Sequence, residues 1–163
     1  MFNGIIFSTG IVKSIKKQKK SFLIGIESNL RVDHKDLGTS ISCDGVCLTL
    51  VKIKSRLMFF YLSNETVKRS NFKNIRIGKI INLEKSIIYG QKISGHFIQG
   101  HVDTTAIIKK IYFIDKSWVV ILELHDKKLF KFLEEKASIS INGVSLTISK
   151  VQKKNFILYI IPH

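Results

Sequence analysis

The feature that most constrains this chain is an internal repeat. Residues 42–50 read Ser-Cys-Asp-Gly-Val-Cys-Leu-Thr-Leu, and residues 140–148 read Ser-Ile-Asn-Gly-Val-Ser-Leu-Thr-Ile. In this alignment 98 residues separate Gly45 from Gly143. Self-similarity of this kind indicates a tandem duplication of one structural unit, so the chain has to fold into two related halves.

Two further matches extend the repeat over most of the chain. The same register aligns residues 60–62 with residues 158–160, and Gly4 corresponds to Gly100 at an offset of 96, which one two-residue insertion accounts for. The junction falls near residues 86–94. We therefore predict two domains, residues 1–90 and residues 91–163.

The hydrophobic pattern predicts an all-β protein. Apolar, β-branched runs separated by short polar turns predict strands at residues 21–27, 57–62, 79–83, 118–124, 138–148 and 156–161. One helix is predicted at residues 126–136, with Asp126 as its N-cap, and a short helix is plausible at its counterpart, residues 30–37. Many short strands with few helices favour barrels or sandwiches over a parallel sheet.

The second copy of the repeat is shorter than the first. The counterpart of Glu65 is His163, so the strand predicted at residues 79–83 has no counterpart in the second half. We expect the second barrel to be incomplete, with an open edge of unpaired backbone groups that could pair with another chain.

Composition excludes several classes of protein. With 163 residues, 45% of them hydrophobic and one proline, the chain can bury a core and is not disordered. Its apolar runs are far shorter than the roughly 20 residues of a membrane helix. Residues 1–5 do not begin a signal peptide, so we expect no membrane association and a cytoplasmic location.

The net charge of +15 raises the question of nucleic-acid binding. The basic residues are spread along the chain, and the abundance of Lys and Ile is typical of a genome biased toward A+T codons. We therefore expect no nucleic-acid partner. The two cysteines, Cys43 and Cys47, are too close along a strand for an unstrained disulfide and lack a ligand set for zinc, so free thiols and no metal site are expected.

The repeated motif combines a tight turn with a polar strand face. Asp44-Gly45 and Asn142-Gly143 are tight-turn signals, with a positive φ expected at the glycine. In the strands that follow, Cys47 and Thr49 share one face, and Ser145 and Thr147 repeat that arrangement. In one copy these would be ordinary strand residues. Their recurrence in both copies favours one ligand site in each unit.

A second dense segment, residues 94–103, contains two histidines. His96 and His101 are five residues apart, so they lie on opposite faces of a strand and do not share a metal ion. A histidine beside a pocket is a reasonable proton carrier near neutral pH.

Together these segments resemble the riboflavin synthases, the α-chain family of lumazine-converting flavin enzymes. The matching pieces occur in family order and cover essentially the whole chain: residues 1–5, 43–49, 64–66, 94–103, 142–147 and 161–163. Asn3 stands where the family usually has Thr, and Asn142 where it often has Asp. Family members continue beyond Ile-Pro-His with a loop, a strand and a trimer-forming helix, none of which follows His163 here.

The resemblance implies two tandem, pseudo-symmetric, six-stranded antiparallel Greek-key β-barrels with short helices. It implies dismutation, without a cofactor, of two 6,7-dimethyl-8-ribityllumazine molecules to riboflavin and 5-amino-6-(D-ribitylamino)uracil by four-carbon transfer. It also implies a homotrimer, with each working site between the N-terminal barrel of one subunit and the C-terminal barrel of its neighbour. The alternative is a non-catalytic lumazine- or flavin-binding protein of the same fold, left by truncation of the C-terminus.

By resemblance the catalytic residues are Ser145 and Thr147, which would polarise or add to C7 of one lumazine, and Cys47 and His101, which would assist proton movement. The ligand-lining residues of the N-terminal barrel would be Phe2, Gly4, Ile5, Ile6, Cys47, Leu48, Thr49, Tyr61, Leu62, Ser63, Asn64, Glu65, Thr66, Gly100, His101 and Val102. Those of the C-terminal barrel would be Lys136, Ser145, Leu146, Thr147, Ile161, Pro162 and His163.

Overall fold

A closed barrel occupies the first part of the chain. The computed structural model describes residues 1–19 and 21–161, and it divides into two units, Met1–Val102 with Ser140–Val144, and Asp103–Ile139 with Ser145–His163. The barrel strands are β1 (Ser8–Gln18), β2 (Ser21–Ser28), β3 (Ser40–Cys43), β4 (Val46–Lys54), β5 (Leu57–Ser63) and β6 (Ile80–Lys85). All neighbours pair antiparallel in the closed order β1-β2-β5-β4-β3-β6, so the first half is the six-stranded antiparallel barrel that the resemblance implies.

The barrel interior is filled by alternate residues of these strands. On β4, Val46, Leu48 and Leu50 are buried while Cys47 is half-buried and Thr49 exposed. This alternation arises because successive side chains of a strand point to opposite faces. Fully enclosing one aliphatic or aromatic side chain stabilises the fold by about 1.5–3 kcal/mol. The motif strand therefore has its apolar face in the core and its polar face outside, as its pattern predicts.

Short helices connect the barrel strands. The helix expected at residues 30–37 is reduced to one 3-10 turn, His34–Asp36, and a second 3-10 helix spans Asn71–Asn74. Helix α1, Asn64–Arg69, was not predicted, because six residues are too few to show an apolar period. Its N-cap is Ser63, whose hydroxyl accepts a hydrogen bond from the Thr66 amide at 3.0 Å.

The remaining five strands form an open sheet. They are β7 (Ala106–Ile114), β8 (Ser117–Leu124), β9 (Ser138–Ile141), β10 (Val144–Val151) and β11 (Phe156–Ile160), in the order β7-β8-β11-β10-β9. This is the order β1-β2-β5-β4-β3 of the barrel. Within the described residues no strand takes the place of β6, so the prediction of an incomplete second barrel is confirmed.

One predicted element in the second half was wrong in type. The helix expected at residues 126–136 is a 3-10 helix, Lys127–Phe132, although Asp126 does cap it by accepting from the Lys128 amide. The α-helix cannot continue because the Lys136 amide donates to the Ile148 carbonyl at 2.8 Å and the Ile148 amide donates to Ala137 at 2.9 Å. Strand pairing thus takes the backbone groups that a helix would need.

The single strand expected at residues 138–148 is two strands, β9 and β10. The chain reverses at Asn142-Gly143, with φ of +48° and +81° respectively. The equivalent turn at Asp44-Gly45 separates Cys43 on β3 from Cys47 on β4, so the two cysteines do not share one strand. Both are free thiols. No helix among the described residues is long and apolar enough to cross a membrane.

Candidate functional site

The first four residues form a strap, Met1–Gly4, held by hydrogen bonds within the first unit. The Phe2 amide donates to the Ile98 carbonyl at 2.8 Å, and the Ile98 amide donates back to Phe2 at 3.0 Å. Asn3, which is 7% exposed, accepts the Gly95 amide on its side-chain Oδ1 at 2.7 Å. Phe2 itself is fully buried. The strap is therefore ordered by pairing although it belongs to no barrel strand.

Phe2, Cys47 and Gly100 meet at one point. The Cys47 amide donates to the Gly100 carbonyl at 2.8 Å, and Gly100 has a φ of +80°. A Cβ added to Gly100 would lie 2.7 Å from the Cβ of Cys47 and 2.8 Å from Cε2 of Phe2. Only glycine provides both the left-handed backbone and this close approach. Three residues that the sequence assigns to one site are thus brought together by the fold.

Polar residues form a row on the outer face of three adjacent strands. Glu84 of β6 is the Cα partner of Ser42 on β3, and Ser42 is the partner of Cys47 on β4. Next to this row, Thr49 pairs with Ser40. Side chains directly opposite on neighbouring strands lie about 4.5–5.5 Å apart at Cβ. The row therefore runs from Glu84, whose carboxylate accepts the Asn3 and Gly4 amides of the strap, to the half-buried Cys47 thiol.

The end of β5 and helix α1 supply further outward polar groups. Leu50 pairs with Phe60, which places Thr49 and Tyr61 one residue beyond that pair on adjacent strands. Tyr61 is 50% exposed. At the start of α1 the hydroxyls of Ser63 and Thr66 lie 2.9 Å apart. These groups border the same outer face as Cys47.

The other candidates of this unit differ in where their side chains lie. Leu48 and Leu62 are buried in the barrel core, so only their backbone could face a ligand. Val102 packs against that core, whereas His101 is exposed. The remaining candidates are Gly4, which is buried, Ile5 and Ile6, which are half-buried, and Asn64 and Glu65, which are exposed on α1.

In the second unit the candidates lie on and beside β10. Ser145 is half-buried and Thr147 exposed, two residues apart on one strand, with Leu146 half-buried between them. Lys136 has a φ of +68°, and its backbone is tied to β10 by the bond to Ile148. Ile161 is 70% exposed. Pro162 and His163 lie outside the described residues.

Burial shifts the pKa of three groups in the first unit. It raises the pKa of the enclosed Cys43 thiol well above its usual value, and the neighbouring Asp44 charge adds to the effect, so the accessible Cys47 is the thiol open to chemistry. Burial also lowers the pKa of His96. For Glu84 it raises the pKa, although the amides of Asn3 and Gly4 act in the opposite direction.

Two glycine turns pack together inside the first unit. A Cβ on Gly45 would lie 2.7 Å from the Gly143 backbone nitrogen, so neither turn tolerates a side chain there. The side-chain Nδ2 of Asn71 lies 3.3 Å from Oδ2 of Asp44 and 3.3 Å from Oδ1 of Asn142. One donor thus bridges the two turns, and the carboxylate at this contact, that of Asp44, also pairs with Lys79 at 3.3 Å.

Sequence reasoning missed Glu84 and Ser42 as members of the site region. Glu84 resembles any charged residue on an outward strand position, and no local signal marks its contacts with the strap. Asn3 was noted only as a departure from the family pattern. No group of three or more His, Cys, Asp or Glu side chains placed to hold a metal ion occurs among residues 1–19 and 21–161.

Comparison with protein families gives two matches along the chain. Residues 3–86 and residues 99–163 each match the family model described as the lumazine binding domain. The riboflavin synthase of Chlamydia muridarum is 38% identical over 165 residues, covering 99% of this chain and 79% of that protein. The riboflavin synthase of Bacillus subtilis is 35% identical over 164 residues, covering 100% of this chain and 75% of that protein.

Solved structures share the fold. The crystal structure of LumP complexed with riboflavin superposes with a TM-score of 0.84 at 24% identity, covering 98% of this chain and 86% of LumP. LumP complexed with 6,7-dimethyl-8-(1'-D-ribityl) lumazine gives a TM-score of 0.82 at 23% identity, with coverage of 99% and 86%.

Proposed function

The chain belongs to the lumazine binding domain family, and from this we propose that it is a riboflavin synthase. The proposed reaction joins two 6,7-dimethyl-8-ribityllumazine molecules. One gives up a four-carbon unit and leaves as 5-amino-6-(D-ribitylamino)uracil, and the other becomes riboflavin. The observation that most supports this proposal is that each half of the repeat keeps its polar motif face, Cys47 and Thr49 in one and Ser145 and Thr147 in the other.

In the first unit, the proposed role of the site is to bind and orient one lumazine. Phe2 and Gly100 form an ordered wall beside Cys47, and Thr49 and Tyr61 offer polar groups along the same outer face. A reaction between two similar ring systems depends mainly on holding them in the correct geometry, and orientation of this kind contributes about 7–11 kcal/mol in well-aligned systems. A preformed wall provides such positioning without reorganisation.

The proposed chemistry needs loss of a proton from the 7-methyl group of one lumazine and addition of a nucleophile at C7 of the other. Ser145 and Thr147 are proposed to polarise or add at C7. Cys47 and His101 are proposed to assist proton movement, His101 because its side chain is exposed and histidine is the most frequent general acid or base in enzymes. No cofactor enters this proposal.

The experiment is to mix the purified protein with 6,7-dimethyl-8-ribityllumazine and follow riboflavin absorbance, with mass detection of the pyrimidine co-product. We expect the two products in a one-to-one ratio and no riboflavin from Ser145→Ala. Ser138→Ala, an exposed serine on β9, is the control and should turn over normally. Equal rates in wild type and Ser145→Ala would contradict the assigned role of Ser145.

The alternative proposal is a lumazine or flavin binder without turnover. The structural likeness to LumP fits this alternative as well as the enzyme, because that likeness shows the fold alone. Tight binding of the lumazine with no riboflavin formed would favour the binder. We also propose that the protein assembles as a homotrimer and is cytoplasmic. Sedimentation equilibrium tests the oligomeric state.

A nucleic-acid partner is the remaining rival. Such binding needs exposed aromatic rings interleaved with basic side chains. Strand β7 does expose Tyr112 and Phe113, and Lys110 lies 5.1 Å from the Tyr112 ring centroid. We propose that the chain has no specific nucleic-acid partner. Salt-sensitive binding of an oligonucleotide at micromolar affinity or better would contradict this.

A further inference from the structure

Glu84 makes contacts that nothing in its sequence position suggests. Its side chain lies on the outer face of β6, and its Oε1 accepts the Asn3 amide at 2.7 Å and the Gly4 amide at 3.2 Å. Oε2 accepts the Gly4 amide at 3.0 Å. One carboxylate therefore holds two consecutive backbone amides of the strap.

These bonds tie the strap to the barrel itself. The strap's other hydrogen bonds come from Ile87, Gly95, His96 and Ile98, which all lie in the connection between β6 and β7. Glu84 instead belongs to a strand that is paired on both sides, with β1 and with β3. A barrel strand is a more rigid reference than a connection, so Glu84 fixes where the strap begins.

The surroundings show that this carboxylate is withdrawn from water. Burial raises the pKa of Glu84, while the amides of Asn3 and Gly4 and the terminal ammonium of Met1 lower it. An ordinary surface glutamate would not be desolvated in this way. Glu84 is half-buried, and its carboxylate faces two backbone donors that belong to the strap.

We propose that Glu84 is a positioning residue that holds Asn3 and Gly4 so that Phe2 stays against Gly100 and Cys47. Through this contact it sets the affinity of the first unit for its ligand. The ligand part of this inference rests on the proposed lumazine-binding function. The structural part does not, because the order of the strap can be measured without ligand.

The test compares three variants. Glu84→Ala removes both acceptor oxygens. Glu84→Gln keeps Oε1, which accepts both amides, and replaces Oε2, the acceptor at 3.0 Å from the Gly4 nitrogen, by an NH2 group. Glu27→Ala is the matched control, because Glu27 is a glutamate of the same barrel that pairs with Lys13 at 3.0 Å. The first readout is the rate at which iodoacetamide alkylates Cys47, with the fully buried Cys43 as internal reference. The second is the dissociation constant for 6,7-dimethyl-8-ribityllumazine.

We expect Glu84→Ala to speed Cys47 alkylation and weaken lumazine binding by about tenfold each, which is the effect of losing about 1.4 kcal/mol. Cys43 should stay unreactive. Glu27→Ala should remain within about twofold of wild type, and Glu84→Gln should lie closer to wild type than Glu84→Ala does. The contrast between the two thiols distinguishes positioning from a general loss of stability, because general unfolding would expose Cys43 as well as Cys47. Rescue by Gln assigns the effect to the hydrogen bonds that the side chain accepts.

Several results would overturn the inference. The first is an alkylation rate of Cys47 that is the same in Glu84→Ala and in Glu27→Ala. The second is a Glu84→Gln variant that matches Glu84→Ala in alkylation rate and in lumazine affinity. If Glu84→Ala does not fold, amide hydrogen exchange in the wild type decides, because the Gly4 amide should exchange slowly. Exchange at the unprotected rate would refute the contact. If the wild type does not bind lumazine, the proposed function fails, and the thiol and exchange measurements still decide the role of Glu84.

Discussion

Replacing Gly100 by alanine probes the point where Phe2, Cys47 and the backbone meet. A left-handed backbone at a residue with a Cβ costs about 1–2 kcal/mol. The added methyl would also lie 2.7 Å from the Cys47 Cβ, 2.8 Å from Phe2 and 3.0 Å from the Cys47 nitrogen, distances that force neighbours to move. Overpacking of this kind costs about 1–3 kcal/mol. Gly100→Ala should therefore destabilise the first unit by about 2–5 kcal/mol.

Gly38→Ala separates the two contributions. Gly38 has a similar φ of +83°, and a Cβ there would meet nothing within 4 Å. This control has the backbone cost alone, so the difference between the two variants isolates the contact cost at about 1–3 kcal/mol. Urea unfolding followed by far-ultraviolet circular dichroism and by exposure of the buried Cys43 measures that difference for the first unit.

Ligand affinity provides the second readout for Gly100→Ala. Because the methyl displaces Phe2 or Cys47, lumazine binding should weaken at least tenfold, whereas Gly38→Ala should leave it unchanged. If the free energies of unfolding of the two variants agree within about 0.5 kcal/mol, which is the usual effect of a surface substitution, the close contact of Gly100 with Cys47 and Phe2 is refuted. Unchanged lumazine binding in a destabilised Gly100→Ala would show that the wall does not border the ligand.

The remaining predictions concern charges of the first unit. Because burial raises the pKa of Glu84 above 4.5, the native state binds more protons than the unfolded state above that pH, and the contribution of Glu84 to stability falls as pH rises through its native pKa. As pH rises from 4 to 7, the urea midpoint of Glu84→Gln should therefore increase relative to that of the wild type. Asn142→Asp places a second carboxylate beside Asp44 and should lower the free energy of unfolding by up to about 1 kcal/mol at low salt, and by less at high salt. Desolvation raises the pKa of Asp36, but Lys85 at 2.7 Å keeps it below 3.8. Lys85→Met should raise the pKa of Asp36 in a carboxyl NMR titration. It should also remove the contribution of this ion pair to stability, which is present above pH 3.8 and is lost as pH falls through the lower native pKa.

The sequence predicted the architecture through features that are local. The tight-turn dipeptides, the strand alternation after them and the repeat predicted two related β-rich units, the second of them incomplete. The six-stranded antiparallel barrel was implied by the resemblance to the riboflavin synthases. Each of these signals depends on a few neighbouring residues, because a strand alternates every two residues and Asp-Gly or Asn-Gly favours a reversal. The motif strand β4 follows its pattern, with Leu48 and Leu50 inside and Cys47 outside.

Where local signals competed with pairing, pairing decided. The apolar residues after Asp126 favour a helix. The Lys136 amide, however, donates to the Ile148 carbonyl, and the Ile148 amide donates to the Ala137 carbonyl, so the backbone is held beside β10 and only a 3-10 helix forms. Helix α1 forms although it lacks a recognisable period, because a Ser63 cap and the Glu65–Arg69 ion pair stabilise its six residues. Propensity is a weak guide when tertiary contacts oppose or support it.

The chain's own pattern thus determined the duplication, the strand-rich fold and the polar motif faces, since these arise from residues close together in sequence. Only the tertiary structure decided that Glu84 holds the Asn3 amide across 81 positions of chain, and that Gly100 brings Phe2 to Cys47. Contacts of this kind depend on how the closed barrel places its outer face. A single outward glutamate or an isolated glycine carries no mark of its distant partner.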